Sequence, residues 1–219
     1  VSGGSGYIAG FLIRQLLDRG WTVHTTVRDL ARERELRPQL GGTPDTLKFF
    51  AADLNHDAGW LEASTGCSHV AHVASPFPQS RPKHEDDLIV PAREGALRAL
   101  RAARAAGVTR FVQTSSVAAF AYGRPKGVHT FTEADWTILD GAEDIAAYTK
   151  SKTIAERAAR DWVAAEGDGL EFVSVNPAAV LGPVISADFS TSIQLVKQLL
   201  AGALPGCPDF GFGIVDVRY

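Results

Sequence analysis

The first ten residues, VSGGSGYIAG (1–10), read as the end of a strand, a glycine-rich turn and the beginning of a helix. Gly3 and Gly6 are three positions apart and Ala9 stands three further on, so the spacing is Gly-x-x-Gly-x-x-Ala rather than Gly-x-Gly-x-x-Gly. Such a turn lets the backbone approach a pyrophosphate and directs the free N–H groups of the helix N-terminus at the phosphates. It therefore predicts a nucleotide site in an α/β fold, although similar turns also serve purely structural purposes. A P-loop is excluded because no Gly-Lys-Ser/Thr follows.

Strand-like runs alternate with helical patterns along most of the chain, which predicts βα units around a parallel sheet. The strand-like runs lie at 22–27, 47–52, 70–74, 110–114 and 171–175, and the helical patterns at 7–19, 87–106, 146–165 and 191–200. After about Gly182 the alternation ends and proline and glycine become frequent. We therefore expect a dinucleotide-binding domain over 1–182 and the beginning of a substrate-binding region over 183–219.

Composition and charge exclude several classes of function. The 219 residues are 45% apolar, and 22 Lys and Arg against 25 Asp and Glu give a net charge of −3. The chain has no excess of positive charge with which to bind nucleic acid or an anionic membrane surface, so a small molecule is the expected partner. The two cysteines, Cys67 and Cys207, are too isolated to suggest a metal site or a disulfide framework. No spanning apolar run or signal peptide is visible, which favours the cytoplasm.

The end of the run at 22–27 indicates which dinucleotide the site takes. An NAD site usually has a carboxylate there that binds the ribose hydroxyls, but this position holds Val27 and is followed by Arg28. A guanidinium can pair with the 2′-phosphate of NADP(H), which is therefore the expected cofactor. In the alternative, Asp29 is the ribose acid and the cofactor is NAD(H). Asp53, after the next strand, is placed either to meet the adenine amino group or to cap a helix.

Tyr148 and Lys152 are four residues apart in a helical pattern, so both side chains project from one face. Free tyrosine titrates near pH ~10, and a neighbouring ammonium lowers the pKa of a phenol and makes it a usable proton donor. The strand-like run FVQTSS (111–116) ends in hydroxyl residues, of which Ser116 could bind a substrate oxygen. The competing interpretations are an exposed helix face and hydroxyls that cap a turn.

Taken together, the motifs resemble those of the extended short-chain dehydrogenases/reductases. The glycine turn, Thr114-Ser115-Ser116, Tyr148-x-x-x-Lys152 and NPAAVLGP (176–183) occur in the order and spacing of that family. The chain is most similar to the branch with dihydroflavonol 4-reductase and bacterial NADPH-dependent ketone and aldehyde reductases. The resemblance implies a Rossmann-type doubly wound parallel sheet and the start of a smaller C-terminal substrate-binding region. It also implies the cofactor-binding residues Gly3, Gly6, Tyr7, Ile8, Arg28, Asp53, Leu54, Val73, Ala74, Ser75, Thr114, Tyr148, Lys152, Pro177 and Ser192.

The implied activity is the reduction of a ketone or aldehyde by NADPH, with Ser116, Tyr148 and Lys152 as catalytic residues. One alternative is an NAD-dependent nucleotide-sugar epimerase or dehydratase, which Val27 and Arg28 disfavour. Another is a non-catalytic dinucleotide sensor, since fold does not dictate function. In the family, two copies commonly pair through helices corresponding to those that begin near Glu85 and Tyr148, so a homodimer is one alternative and the oligomeric state stays open.

Departures from the family pattern lie mainly at the two ends of the chain. The family's first strand is almost absent before the glycine turn, no methionine is present, and the family continues well past Tyr219. We therefore expect residues before Val1 and no turnover from this segment by itself. Candidates for the substrate pocket are Phe77, Phe120, Tyr122 and the residues near Phe210.

Overall fold

The computed structural model describes residues 1–76, 82–141, 144–185, 191–203, 206, 211 and 213–219. Its helices are α1 (Tyr7–Asp18), α2 (Glu33–Leu40), α3 (Trp60–Ser64), α4 (Asp86–Ala105), α5 (Ala147–Glu166) and α6 (Thr191–Leu200). Its strands are β1 (Val23–Val27), β2 (Leu47–Ala51), β3 (His69–His72), β4 (Arg110–Thr114), β5 (Glu171–Val175), β6 (Ala179–Leu181) and β7 (Ile214–Asp216). Two 3₁₀ turns cover Leu30–Arg32 and Val117–Ala119.

Strands β1 to β5 form a parallel sheet whose centre is completed by the first two residues. β1 pairs with β2, and β4 lies between β3 and β5. The Thr26 amide donates to the carbonyl of Val1 at 3.2 Å, and the Ser2 amide donates to the carbonyl of Ala71 at 2.9 Å. Residues 1–2 thus join β1 to β3 in the order β2-β1-(1–2)-β3-β4-β5. This central place is the one that the resemblance implies for the first strand.

Helices cover both faces of this sheet. On one face, Val23 and Val27 pack with Ile13 of α1 and Leu36 of α2 in a buried cluster. His24 lies between them in β1, and its Nδ1 lies 3.0 Å from a carbonyl of α3. Because successive side chains of a strand point to opposite faces, α1 and α3 must lie on different sides. The doubly wound α/β architecture is therefore confirmed.

The second buried cluster lies beneath α4 and α5, which pack against each other. Phe111 of β4 is fully buried and contacts Leu100 of α4 and Trp162 of α5 within this cluster. Its ring also stacks on Phe172 of β5 at a centroid distance of 6.2 Å. Burial of one such ring stabilises the fold by about 1.5–3 kcal/mol, so this cluster fixes α5 and its side chains over the sheet.

All five predicted strands and all four predicted helices are confirmed, with bounds that differ by at most two residues. The short elements α2, α3, β6 and β7 were not predicted. β6 and β7 form a separate parallel pair, so regular structure continues beyond Gly182, and the division at 182 stays a prediction. None of the described helices is long and apolar enough to cross a bilayer. The pocket candidate Phe77 and the surroundings of Phe210 lie outside the described residues.

Candidate active site

The glycine turn between the strand of residues 1–2 and α1 packs closely against Ala74 and leaves the N-terminus of α1 without a capping side chain. Gly3 has φ +73°, and a Cβ added there would meet the Cβ of Ala74 at 3.1 Å. The Gly6 amide donates to the Gly3 carbonyl at 2.8 Å, which closes the turn. Gly6 is also the N-cap of α1, and no side chain caps the helix there. The first N–H groups of α1, at Tyr7 and Ile8, are therefore available to an anion.

A buried hydrogen-bond cluster fixes the loop at 73–75 beside the glycine turn. The Ser2 hydroxyl oxygen accepts from the Val73 and Ala74 amides, each at 2.9 Å, and lies 3.0 Å from Nδ1 of His72. Since both acceptor positions of this hydroxyl are used, it donates its proton to Nδ1 of His72. Burial lowers the pKa of His72 to about 3, so the ring is neutral. Sequence reasoning predicted Val73, Ala74 and Ser75 but missed Ser2 and His72, which hold them.

Arg28 and Asp29 follow β1, and Asp53 follows β2; these are the residues from which a choice between NADP(H) and NAD(H) was predicted. The Asp29 carboxylate accepts the Ala31 amide at 2.9 Å and caps the first 3₁₀ turn. Arg28 beside it is exposed, and its guanidinium makes no hydrogen bond or ion pair within the described part of the chain. The pKa of Asp53 is lowered, mainly by the Asn55 amide and to a smaller extent by Arg28. Asp53 closes a turn on Asn55, at 2.8 Å, and does not cap α3, whose N-cap is Gly59.

Ser116, Tyr148 and Lys152 meet at the carboxyl end of β4. Ser116 is 8% exposed and hydrogen-bonds the Tyr148 hydroxyl, while the Lys152 Nζ lies 5.8 Å from the Tyr148 ring centroid. Burial lowers the pKa of Lys152 to about 8, against the field of Glu156, which raises it. Burial also raises the pKa of Tyr148, and the bond from Ser116 only partly offsets this effect. The predicted lowering of the Tyr148 pKa is therefore absent from this arrangement, and the phenol is protonated at neutral pH.

Further residues of the predicted site lie around these three. Thr114 ends β4, and the Pro177 carbonyl accepts the Val117 amide at 3.1 Å, which joins the loop after β5 to the Ser116 turn. Leu54 lies beneath Gly95 of α4 and is thus a packing residue in this structure. Ser192 is half-buried in the first turn of α6, and its contact with a cofactor stays a prediction.

Sequence reasoning also missed Glu156 and Asn176. The Asn176 Nδ2 donates to the Ser116 carbonyl at 3.1 Å and to Glu156 Oε2 at 2.8 Å. The spacing of Glu156, four residues after Lys152 in a helix, was the available signal.

Of the two described pocket candidates, Phe120 lines a cavity of about 300 Å³, and Tyr122 is 49% exposed. The lining of this cavity includes Phe131, Trp136 and Glu156 but neither Tyr148 nor Lys152. Phe120 therefore lines a cavity whose walls do not include the predicted catalytic residues Tyr148 and Lys152.

Comparison with known proteins agrees with this geometry. Residues 1–209 match the model of the NAD dependent epimerase/dehydratase family. Cinnamoyl-CoA reductase CAD2 of Medicago truncatula is 36% identical over an alignment of 228 residues, and this alignment covers 100% of this chain and 68% of that protein. Dihydroflavonol 4-reductase of Gerbera hybrida is 35% identical over 209 residues, or 92% of this chain and 56% of that enzyme.

Among solved structures, yeast methylglyoxal/isovaleraldehyde reductase Gre2 complexed with NADPH superposes with a TM-score of 0.86 at 28% identity. That match covers 99% of this chain and 70% of Gre2. Vestitone reductase from alfalfa, Medicago sativa, gives a TM-score of 0.75 at 28% identity, with 99% and 67% covered. The chain thus belongs to the NAD dependent epimerase/dehydratase family and spans about 56–68% of the length of the two plant relatives it matches.

Proposed function

We propose that this chain carries the cofactor and catalytic residues of an NADP(H)-dependent reductase that converts a ketone or aldehyde into an alcohol. The observation that carries the proposal is the Ser116–Tyr148 hydrogen bond beside the buried Lys152, at the end of the sheet where open α/β folds bind ligands. Its relatives carry reductase names, and Gre2 was solved with NADPH.

The residues at the glycine turn fit a dinucleotide. The glycines let the turn pack closely on Ala74, and α1 begins without a capping side chain, so the first N–H groups of α1 can hold a pyrophosphate. Arg28 is the group that would hold a 2′-phosphate, and Asp29 is already engaged in its turn, which supports NADP(H) over NAD(H). Lys152 would hold the nicotinamide ribose. When bound, the dinucleotide supplies the hydride.

The catalytic side chains then act on the carbonyl oxygen. Ser116 donates a hydrogen bond to this oxygen and orients the phenol of Tyr148. Tyr148 donates its proton to the oxygen as negative charge develops on it. The ammonium of Lys152 favours the phenolate that remains, which makes the proton easier to release. Cytoplasmic location and a homodimer through α4 and α5 stay predictions.

The test is to measure NADPH absorbance while the full-length protein is offered a panel of aldehydes and ketones, with NADH in parallel. We expect carbonyl-dependent oxidation of NADPH and slower oxidation of NADH. Failure of every carbonyl to oxidise NADPH, or a preference for NADH, would overturn the proposal. A nucleotide-sugar epimerase would instead interconvert sugars with no net change in the dinucleotide.

A further inference from the structure

Four polar side chains follow one another along a single face of α5. They are Tyr148, Lys152, Glu156 and Arg160, each four residues after the last. Residues at this spacing lie above one another on a helix. The first two belong to the proposed catalytic group, and the third is a carboxylate that the proposed function does not use. Glu156 is 3% exposed, which is rare for a glutamate.

The Glu156 carboxylate is held on all sides by donors. Oε1 accepts from the Ser174 hydroxyl at 2.7 Å and from Nε and Nη2 of Arg160 at 3.0 and 2.9 Å. Oε2 accepts from the Asn176 amide at 2.8 Å. Burial pushes the pKa of Glu156 up, but the Ser115 hydroxyl and the hydrogen bonds from Ser174, Asn176 and Arg160 act against it and leave this pKa below its usual value. Glu156 is therefore a carboxylate at neutral pH.

A short chain of hydrogen bonds connects Glu156 to the catalytic serine. The same Asn176 Nδ2 that donates to Glu156 also donates to the Ser116 backbone carbonyl at 3.1 Å. Ser116 in turn hydrogen-bonds the Tyr148 hydroxyl. The amide of Asn176 can make both bonds only when its NH₂ group faces the carboxylate, so the charge on Glu156 sets the orientation of this amide.

Within α5, the Glu156 carboxylate is the negative group closest in sequence to Lys152. Burial disfavours the ammonium of Lys152, and the field of Glu156 favours it. His72, which faces Lys152 from β3, is neutral and supplies no charge, and Tyr148 is protonated. Arg160 on the far side of Glu156 carries positive charge, which weakens the field of the carboxylate at Lys152 but does not cancel it, because Arg160 is a further turn away.

We propose that Glu156 is a positioning residue of the site: through Asn176 it fixes the backbone of Ser116, and through its charge it keeps Lys152 protonated. This inference rests on the proposed function, which assigns the roles of Ser116 and Lys152. A purely structural Glu156 would stabilise the fold through Arg160 and leave the titration of Lys152 unchanged.

The first experiment measures the pKa of Lys152 without any need for turnover. The protein is labelled with ¹³C at the lysine Cε, and the Lys152 signal is assigned by its loss in Lys152→Arg. In the parent protein we expect a titration midpoint of about 8. Glu156→Gln should lower this midpoint by about one pH unit, as expected for a charge one turn away in a partly screened site. Glu166→Gln, which removes an exposed carboxylate at the end of the same helix, should leave it unchanged.

Glu156→Gln leaves Arg160 without its partner, so a second variant guards against misfolding. Glu156→Gln combined with Arg160→Gln removes both charges, and the Lys152 midpoint should still fall, by a smaller amount. An unchanged midpoint in whichever variant folds would overturn the proposal.

The second experiment follows the pH dependence of kcat on a carbonyl that the parent reduces. We expect the fall of kcat at high pH to begin about one pH unit lower in Glu156→Gln, because Lys152 loses its proton earlier. A uniform loss at every pH would show a structural role only and overturn the proposal. If the parent itself reduces no carbonyl, the proposed function fails, whereas the Lys152 titration still decides the role of Glu156.

Discussion

Lys152 is a buried amine whose charge has consequences for stability as well as for chemistry. Its pKa falls from 10.5 to about 8 on folding, because burial disfavours the ammonium. Between these two values the unfolded chain holds a proton that the folded chain has released. The free energy of unfolding must therefore rise as pH increases through this window.

We predict that Lys152→Met stabilises the protein at neutral pH by about 3 kcal/mol, the cost of keeping the buried amine charged. The difference from the parent should shrink above about pH 8 and vanish only above the unfolded-state pKa of 10.5. Urea unfolding of both proteins across this range measures it, with Lys126→Met as the control at an exposed lysine. A constant difference at all pH values would contradict the burial of a titrating amine.

At the same scale, Arg28 tests cofactor choice. Arg28→Ala should weaken NADPH by about 1.5–3 kcal/mol, the value of a lost charged hydrogen bond, and should leave NADH nearly unchanged. Fluorescence titration with both cofactors measures this, and Arg101→Ala on the exposed face of α4 is the control. An equal loss of affinity for NADPH and NADH would mean that Arg28 does not bind the 2′-phosphate.

In the proposed function, the glycine turn is the element that holds the pyrophosphate of the cofactor. Gly3 and Gly20 both have positive φ, +73° and +79°, but only at Gly3 would an added Cβ meet another group, the Cβ of Ala74 at 3.1 Å. The pair therefore separates the strain of a left-handed backbone from a clash between the glycine turn and the loop at 73–75.

We predict that Gly20→Ala costs about 1 kcal/mol of unfolding free energy for the left-handed backbone, and that Gly3→Ala costs more because its Cβ also presses on Ala74. Only Gly3→Ala should also weaken NADPH, by at least about 10-fold, or 1.4 kcal/mol. Urea unfolding and NADPH titration of the two variants give both quantities. Unchanged NADPH affinity in Gly3→Ala would mean that the turn is structural only.

The accuracy of the sequence predictions varied with the kind of element. The long helices α4 and α5 were predicted because the burial of one face gives their apolar residues a helical period, and β4 was predicted from its run of strand-forming residues. α2 was missed because its eight residues contain Pro38 and only Leu36 and Leu40 are buried. Five-residue α3 is too short for a helical period to show.

In the candidate site, too, some residues were predicted from the sequence and others were missed. Tyr148, Lys152 and Ser116 were predictable because their spacing or strand position is local in sequence. Ser2 acts on a loop 71 residues away, and Asn176 on a carbonyl 60 residues away. Such contacts follow from the parallel order of the strands, which a single sequence does not reveal at the level of individual hydrogen bonds.

For the whole molecule, the parallel sheet brings the glycine turn, the loop at 73–75 and the end of β4 to a common edge. At this edge Gly3 lies against Ala74, and Tyr148 of α5 hydrogen-bonds Ser116. A dinucleotide on the turn and a carbonyl at Tyr148 would then share one site. In the proposed reduction, a proton leaves Tyr148 as hydride reaches the carbonyl carbon.

The most direct test gives the full-length protein NADPH deuterated at the hydride position of C4, with a carbonyl that it reduces, and compares the parent with Tyr148→Phe. We predict one deuterium on the former carbonyl carbon of the alcohol formed by the parent. Tyr148→Phe should keep its NADPH affinity but turn over at least about 10²-fold more slowly, the usual cost of losing a general acid. An alcohol without deuterium, or a Tyr148→Phe variant nearly as fast as the parent, would contradict this account.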